Sequence, residues 1–445
     1  MCIVATRKSF GRWEEEVNGN ANVDVEFESD YERITSSKAF RRLGMKTQIF
    51  IIYESDHNRT RLTHTLEVMS IAQVICRRLS LNETLATAIA LGHDIGHPPF
   101  GHAAERKLHL LASGKHSRFS DIPILNIGGF KHNWQGLRIV DDLSRYTNKL
   151  SGLNLTYEVR EGILKHTRLQ SKVNPKKITY IPPEMEAGKK RVKYEKLFLS
   201  TTHCSTLEGQ VVAIADEIAQ CLHDLDDGIR SDMIKLEDVK EDKLIKEVIG
   251  NEGIPTSATD RLLFTNLLLR MLKEKLIKHL VEFSDTLITN WINMQHITSN
   301  EDFHDKRKLL PELIRFASVE PSNLEQEQNI GNNFAKHFAD TKTIVKRSVI
   351  NTLRVNRMDG HAEDIMEGLL ACFLRNPSVL SDFTLERFRK AKESVSLRNP
   401  SLSEDEVSEL KDEMRTSKLF RRMIFDHLAG MTDAFAEREF RQLML

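Results

Sequence analysis

The stretch RLTHTLEVMSIAQVICRRLS, residues 61–80, sets apolar side chains three and four positions apart. That spacing matches the 3.6-residue turn of an α-helix with one face turned to a core. It recurs in NETLATAIALGHD (82–94), LEGQVVAIADEIAQCLHDLDDGIR (207–230) and LLFTNLLLRMLKEKLIKHLVEF (262–283). No run of β-branched residues alternates with the period of two that a half-buried strand needs. Leaving room for a hairpin somewhere, the pattern predicts an all-α protein. With 445 residues, the chain is too long for one small core, so a large domain with extensions, or two domains, is expected.

Lys plus Arg equals Asp plus Glu, 64 of each, so bulk charge points to neither a nucleic acid nor a membrane as the main partner. Cys2, Cys76, Cys204, Cys221 and Cys372 are scattered without a CxxC pair, which predicts reduced thiols in a cytoplasmic protein. The start, MCIVATRKSFGRWEEE, has no apolar run suited to a signal peptide. The apolar 262–283 segment is interrupted by Arg270, Lys273, Glu274 and Lys275 and reads as an amphipathic helix, not a membrane span. Residues 171–200, rich in Lys and Pro, lack a clear period and predict an exposed loop.

One segment breaks the helical pattern in another way. LGHDIGHPPFGHAAE (91–105) places three histidines, Asp94 and Glu105 around Pro98-Pro99. A packing helix does not carry a Pro-Pro break, and a plain surface loop has no need of three imidazoles. The dipeptide His-Asp occurs at His93-Asp94, His223-Asp224 and His304-Asp305. The last sits in the charge run NEDFHDKRK and reads as a surface helix. His93-Asp94 instead ends a strongly apolar helix, where a buried carboxylate needs a partner or a metal. On the 61–80 helix, His64 lies in line with Val68, Ile71 and Ile75. On the 207–230 helix, Asp216 lies in line with Val212, Ala219, Gln220 and His223. A lone inward histidine is more often a satisfied core residue than a ligand. Two imidazoles and two carboxylates on separate helices are harder to explain by packing.

The order His64, His93-Asp94, Asp216 resembles the H…HD…D signature of the HD superfamily of metal-dependent phosphohydrolases. A mixed N/O set with open positions suits Mn, Mg, Fe, Ni or Co better than structural zinc. Flanking blocks narrow the resemblance: SSKAFRRLGMKTQIF (36–50), RTRLTHTLEV (59–68), LGHDIGHPPFGHAAE, FKHN (130–133), LNLTYEVREGILKH (153–166), LEGQVVAIADEIAQCLHDLDD (207–227) and LAGMTDAFAEREF (428–440). In this order they are similar to the bacterial dGTP triphosphohydrolase-like proteins.

That resemblance implies hydrolysis of a deoxynucleoside triphosphate to the deoxynucleoside and intact triphosphate, by attack at the α-phosphorus. It implies an N-terminal arm (1–55) serving the pocket and an interface, an HD core (56–235), and a C-terminal helical region (236–445) that returns to the core. His102 is implied as the catalytic histidine, general acid to the departing 5′-oxygen or, alternatively, nucleophile. Glu105, three residues on, would tune it, and His132 would lie beside the phosphates. Arg61, three before His64, shares the inward face and suits a phosphate oxygen. Asp224, about 80° round its helix from Asp216, falls near a further polar position of the family, and either it or His223 could support the site from behind. His97 is expected to cap or pack the turn. Arg41 and Arg42 are candidates for a phosphate, an interface or an allosteric nucleotide. Relatives form hexamers or tetramers, and some are activated by a second dNTP, so a homo-oligomer and a dNTP activator are expected. A single-stranded nucleic acid is a further candidate effector. Gly44 stands where relatives often carry Gln or Glu near the deoxyribose. Two other readings stay open: another HD phosphohydrolase, of alarmones or cyclic nucleotides, and a nucleotide-sensing or nucleic-acid-binding protein.

Overall fold

The computed structural model describes residues 3–14, 22–48, 59–114, 118–119, 125–147, 152–167, 194, 196–200, 202–252, 261–318, 333–349 and 352–444. The stretch read as a loop, 171–200, lies outside the described residues except for Tyr194 and 196–200. The helices run in the order α1 (Val23–Ser36), α2 (Lys38–Arg42), α3 (Arg61–Arg78), α4 (Glu83–Gly92), α5 (Gly101–Ala112), α6 (His132–Arg138), α7 (Tyr157–Lys165) and α8 (Leu207–Arg230). There follow α9 (Leu236–Lys240), α10 (Lys243–Glu252), α11 (Arg261–Gln295), α12 (Asn300–Lys306), α13 (Phe334–Val349) and α14 (Leu353–Arg375). The last are α15 (Asp382–Lys392), α16 (Glu404–Thr416), α17 (Lys418–Ala429) and α18 (Asp433–Met444). Among the described residues there is no strand, only isolated bridges such as Thr47 with Thr60. The fold is all-α, and no described helix is long and apolar enough to cross a membrane.

The periodic segments become the helices that the spacing predicts, with one extension. The 262–283 segment continues to Gln295, because the inward stripe runs on through Ser284, Ile288 and Trp291, all buried. A serine at an inward position hid the continuation. Helix starts are set by side-chain caps. Thr60 and Thr63 form a reciprocal capping box at α3, and the Asn82 side chain accepts from the Leu85 amide at α4.

Two apolar cores organise the helices. In the first, α3 packs on α4 and α8, and α4 packs on α1 and α7. The second joins α5 to α14, α17 and α18. Buried polar contacts tie the chain ends to these cores. Glu208 on α8 accepts from the Thr6 amide (2.9 Å), the Thr6 hydroxyl (2.7 Å) and the Asn82 amide (3.0 Å). At the other end, Asp433 accepts from the Thr47 amide (2.8 Å) and the Phe100 amide (2.9 Å). Beside it, Lys46 donates to the carbonyls of His97 (2.6 Å) and Ala429 (2.8 Å). These bonds clamp the turn before α5 between the 46–47 segment and the start of α18.

Helix α6 is held by charge. Asp426 on α17 accepts from Arg138 Nε (2.8 Å) and Nη2 (2.9 Å), with Gln135 Nε2 at 3.2 Å. Burial works to raise the Asp426 carboxyl, but Arg138, then Arg422 and Arg387, hold it at about 2. The folded carboxyl therefore gives up its proton more readily than the unfolded one. The stabilisation is fully present above about pH 4 and is lost as the pH falls towards 2, with a size of about 2 kcal/mol. Asp426→Asn, which removes the main charge partner of half-buried Arg138 while Asp142 stays 3.9 Å away, is expected to cost about 2 kcal/mol at neutral pH. In urea unfolding, that deficit should shrink as the pH is lowered from about 6 to about 2.5. A deficit unchanged by pH would show that the carboxylate charge does not secure α6.

Candidate active site

The site grows from how two helices end. His93 caps α4, and its Nδ1–H donates to the Ala90 carbonyl three residues earlier (2.6 Å). That bond fixes the tautomer and leaves Nε2 a lone pair. Nε2 is fully buried without a hydrogen-bond partner. It lies 3.6 Å from Asp94 Oδ1 and 3.8 Å from Asp216 Oδ1. His64 on α3 points Nε2 at the same Asp216 oxygen, 2.9 Å away. The structure thus brings His64, His93, Asp94 and Asp216 from α3, the end of α4 and α8 around one point.

The proton inventory around His64 is informative. Exposed Glu67 faces His223 Nε2 at 2.5 Å, and His223 Nδ1 faces His64 Nδ1 at 3.2 Å. A carboxylate only accepts, so in neutral rings His223 donates from Nε2 and His64 donates from Nδ1. His64 Nε2 is then a lone pair facing a carboxylate oxygen, an arrangement that requires a positive species between them. Without an ion that species is a proton: burial works to lower the His64 pKa, but the bond to Asp216 and its charge raise it overall. Burial likewise opposes ionisation of Asp94, yet His93, His97 and Arg61 hold its carboxyl well below the usual range.

Arg61 donates from Nη1 to Asp94 Oδ2 (2.7 Å), and its buried Nε and Nη2 have no protein acceptor. Past Asp94 the chain turns sharply. Phe100 has φ +59° and Gly101 φ +60°, so two successive left-handed residues start α5. A Cβ on Gly101 would press on Arg61 Nη2 at 2.9 Å. The turn sends His97 inwards, with Nε2 3.2 Å from Asp94 Oδ1 and the ring stacked 3.8 Å from that of His132.

On α5, Glu105 joins two imidazoles. Its Oε2 faces Nδ1 of exposed His102 (3.1 Å), and its Oε1 accepts from the Nδ1 (2.8 Å) and the backbone amide (2.9 Å) of buried His132. Burial works to raise the Glu105 carboxyl, but His132 and the His102 bond hold it well below the usual range. His166, at the end of α7, repeats the device of His93: its Nδ1–H donates to the Ile163 carbonyl (2.7 Å). Burial, then the charges of His93 and His132, pulls its imidazole down to about 3.

Comparison with known proteins bears on this geometry. The HD domain family model matches residues 61–221, the span from Arg61 to the middle of α8. A deoxyguanosinetriphosphate triphosphohydrolase-like protein of Thiobacillus denitrificans is 34% identical over 420 residues, covering 94% of this chain and 90% of that protein. One from Bradyrhizobium diazoefficiens is 33% identical, with 94% and 90% covered. The chain belongs to the deoxyguanosinetriphosphate triphosphohydrolase-like family of HD-domain proteins. A third member, from Caldanaerobacter subterraneus subsp. tengcongensis, is 44% identical over 237 residues, 53% of this chain and 55% of that protein.

Within this family member, several residues have surroundings that helical spacing alone does not convey. His97, expected to cap or pack the turn, packs there by stacking on the His132 ring and also faces Asp94. Glu67 and His166 were not singled out, although His166 ends an apolar-faced helix just as His93 does. Asp224 is buried with Oδ1 unpartnered, and burial, then Asp227, raises its carboxyl to about 7. Arg42 is exposed, and its guanidinium lies beside Gly430 between α17 and α18. His304 sits on α12 half-buried against the Phe10 ring (4.5 Å). Nothing in the packing demands a glycine at Gly44: an added Cβ would meet only Leu62, at an ordinary 3.6 Å.

Proposed function

We propose that this protein hydrolyses deoxynucleoside triphosphates to deoxynucleoside and inorganic triphosphate with the help of a divalent metal ion. The observation that carries the reading is the His102–Glu105–His132 relay set beside an N/O quartet, buried except for half-buried Asp216, whose His93 Nε2 has no partner. His64, His93, Asp94 and Asp216 would hold the ion, and its charge would answer the lone pair of His64 that faces Asp216. When bound, a divalent ion supplies positive charge that polarises a phosphoryl oxygen.

The other steps belong to the chain. Arg61 keeps Asp94 oriented through Nη1 and offers Nε and Nη2 to a phosphate oxygen. Asp224 offers its unpartnered carboxyl oxygen to the substrate. Glu105 receives His102 Nδ1–H, which orients the ring, and Nε2 would hold the transferable proton. Water forms a bond to the α-phosphorus and gives up a proton to solvent, the bond from phosphorus to the 5′-oxygen breaks, and the 5′-oxygen takes the proton from His102, which solvent then reprotonates. The triphosphate leaves as one piece.

Product analysis tests this directly. Purified protein with Mn or Mg is mixed with each of the four dNTPs, singly and in an equal mixture. Deoxynucleoside and intact triphosphate are the expected products, and the comparison of single with mixed substrates reads out an activating nucleotide. Diphosphate, monophosphate or no product would remove the reading and favour another HD phosphohydrolase or a nucleotide-binding protein.

A further inference from the structure

The two imidazoles of the quartet are fixed in different ways. His93 gives its Nδ1–H to the Ala90 carbonyl (2.6 Å), and a carbonyl can only accept, so Nε2 of His93 is always the free nitrogen of the neutral ring. His64 has no such anchor. Its Nδ1 faces another imidazole nitrogen, His223 Nδ1, at 3.2 Å, and its Nε2 faces Asp216 Oδ1 at 2.9 Å. Two facing imidazole nitrogens are satisfied by a proton on either one.

Neutral rings therefore have two proton orders to choose from. In the first, His223 carries its proton on Nε2 and His64 carries its own on Nδ1, so Nε2 of His64 is a lone pair. In the second, His223 donates from Nδ1 to His64 Nδ1, and the His64 proton sits on Nε2 and points at Asp216. The second order satisfies Asp216 with a hydrogen bond and puts a proton on the nitrogen that an ion needs. The far nitrogen of His223 decides between them. It faces Glu67 Oε2 at 2.5 Å. A carboxylate accepts and does not donate, so the second order would set a lone pair of His223 against an anion. Burial works to raise the Glu67 carboxyl, but the bond to His223, then the charges of His223 and Arg59, hold it below its usual range, so the group stays an anion.

The helices keep these groups in line. Glu67 lies three residues after His64 on α3, and His223 lies seven after Asp216 on α8, so all four share the seam where α3 packs on α8. Arg59, just before α3, bridges Asp226 and Asp227 near the end of α8 and closes that seam. His223 is buried within it, whereas Glu67 reaches solvent. A charge at the surface thus sets the proton order of a buried ring two hydrogen bonds away.

We propose that Glu67 is a positioning residue: through His223 it directs the single proton of neutral His64 to Nδ1 and so keeps Nε2 as a metal ligand. The inference rests on the metal reading of His64, His93, Asp94 and Asp216.

Manganese affinity of the full chain, measured by isothermal titration, tests the proposal. Glu67→Gln keeps the shape of the side chain, but its amide can accept or donate and so serves either proton order. It should weaken Mn binding by about 10-fold to 100-fold, the usual effect of losing a group that orients a ligand from behind. His223→Phe removes the relay, and His223→Leu serves if the phenylalanine variant fails to fold. In that background Glu67→Gln should change Mn affinity by less than about twofold, because Glu67 acts only through His223. A Glu67→Gln protein that binds Mn as tightly as wild type would overturn the role. So would an undiminished effect of Glu67→Gln without His223, which would show that its charge acts directly on the ion. Failure here is distinct from failure of the proposed activity: a protein that releases triphosphate and binds Mn regardless of Glu67 keeps the function and loses this role, and one that shows the Mn dependence but releases no triphosphate does the reverse.

Discussion

His102→Ala is expected to abolish triphosphate release while leaving metal content unchanged, whereas Asp94→Ala removes both. His102 is exposed at the front of α5, and its one described hydrogen-bond partner is Glu105, so removing it disturbs little packing. In the proposed reaction what goes is the proton for the leaving 5′-oxygen, and loss of a positioned general acid lowers kcat by about 100-fold to 10,000-fold. Asp94 is a different case. It receives Arg61 at 2.7 Å and His97 at 3.2 Å inside a buried cluster. Its removal strands the Arg61 guanidinium and takes away a carboxylate proposed as a ligand, so metal affinity, activity and about 3–5 kcal/mol of stability are expected to go together. Turnover with defined dNTPs, metal content by mass spectrometry and urea unfolding separate the two variants. Near wild-type turnover by His102→Ala would show that the general acid lies elsewhere.

The difference between the two residues reflects what a sequence can reveal. His64 and Asp216 were legible because each interrupts an apolar stripe of fixed period, and His93-Asp94 because it ends one. Such positions are set by one helix at a time. His97 and His166 depend on relations between elements. His97 turns inwards because two residues with positive φ follow it and because Lys46 and Asp433 clamp that turn from distant parts of the chain. A left-handed phenylalanine at position 100 leaves no mark on hydrophobic spacing. His166 is a site residue only because α7 ends opposite the start of α6. Glu67 escaped for the opposite reason: it is exposed on α3, where a glutamate needs no explanation, and its bond to His223 appears only once α8 is packed alongside. The all-α class was legible throughout, because it rests on period alone.

Gly96→Ala is expected to be among the most damaging single-methyl changes in the chain. A Cβ at Gly96 would fall far inside van der Waals contact of the His132 carbonyl and of the Gly136 backbone. Both obstacles are main chain, so no rotamer change relieves them, and either the turn or α6 must move. Overpacking usually costs about 1–3 kcal/mol where side chains can adjust; against backbone the cost should exceed about 3 kcal/mol. The damage also reaches the chemistry. The close approach of the turn to α6 is what stacks His97 on His132 at 3.8 Å and lets Glu105 hold the His132 amide and ring together. Displacing α6 therefore separates the His102–Glu105 pair from His132 even if the chain still folds. Gly44→Ala is the control, since its new methyl meets only Leu62 at 3.6 Å and should change stability by less than about 0.5 kcal/mol. Urea unfolding and turnover of the two variants side by side decide the matter. A Gly96→Ala protein that unfolds and turns over like the Gly44→Ala protein would mean that the turn and α6 do not depend on this contact, and that His132 is placed by Glu105 and Asp426 alone.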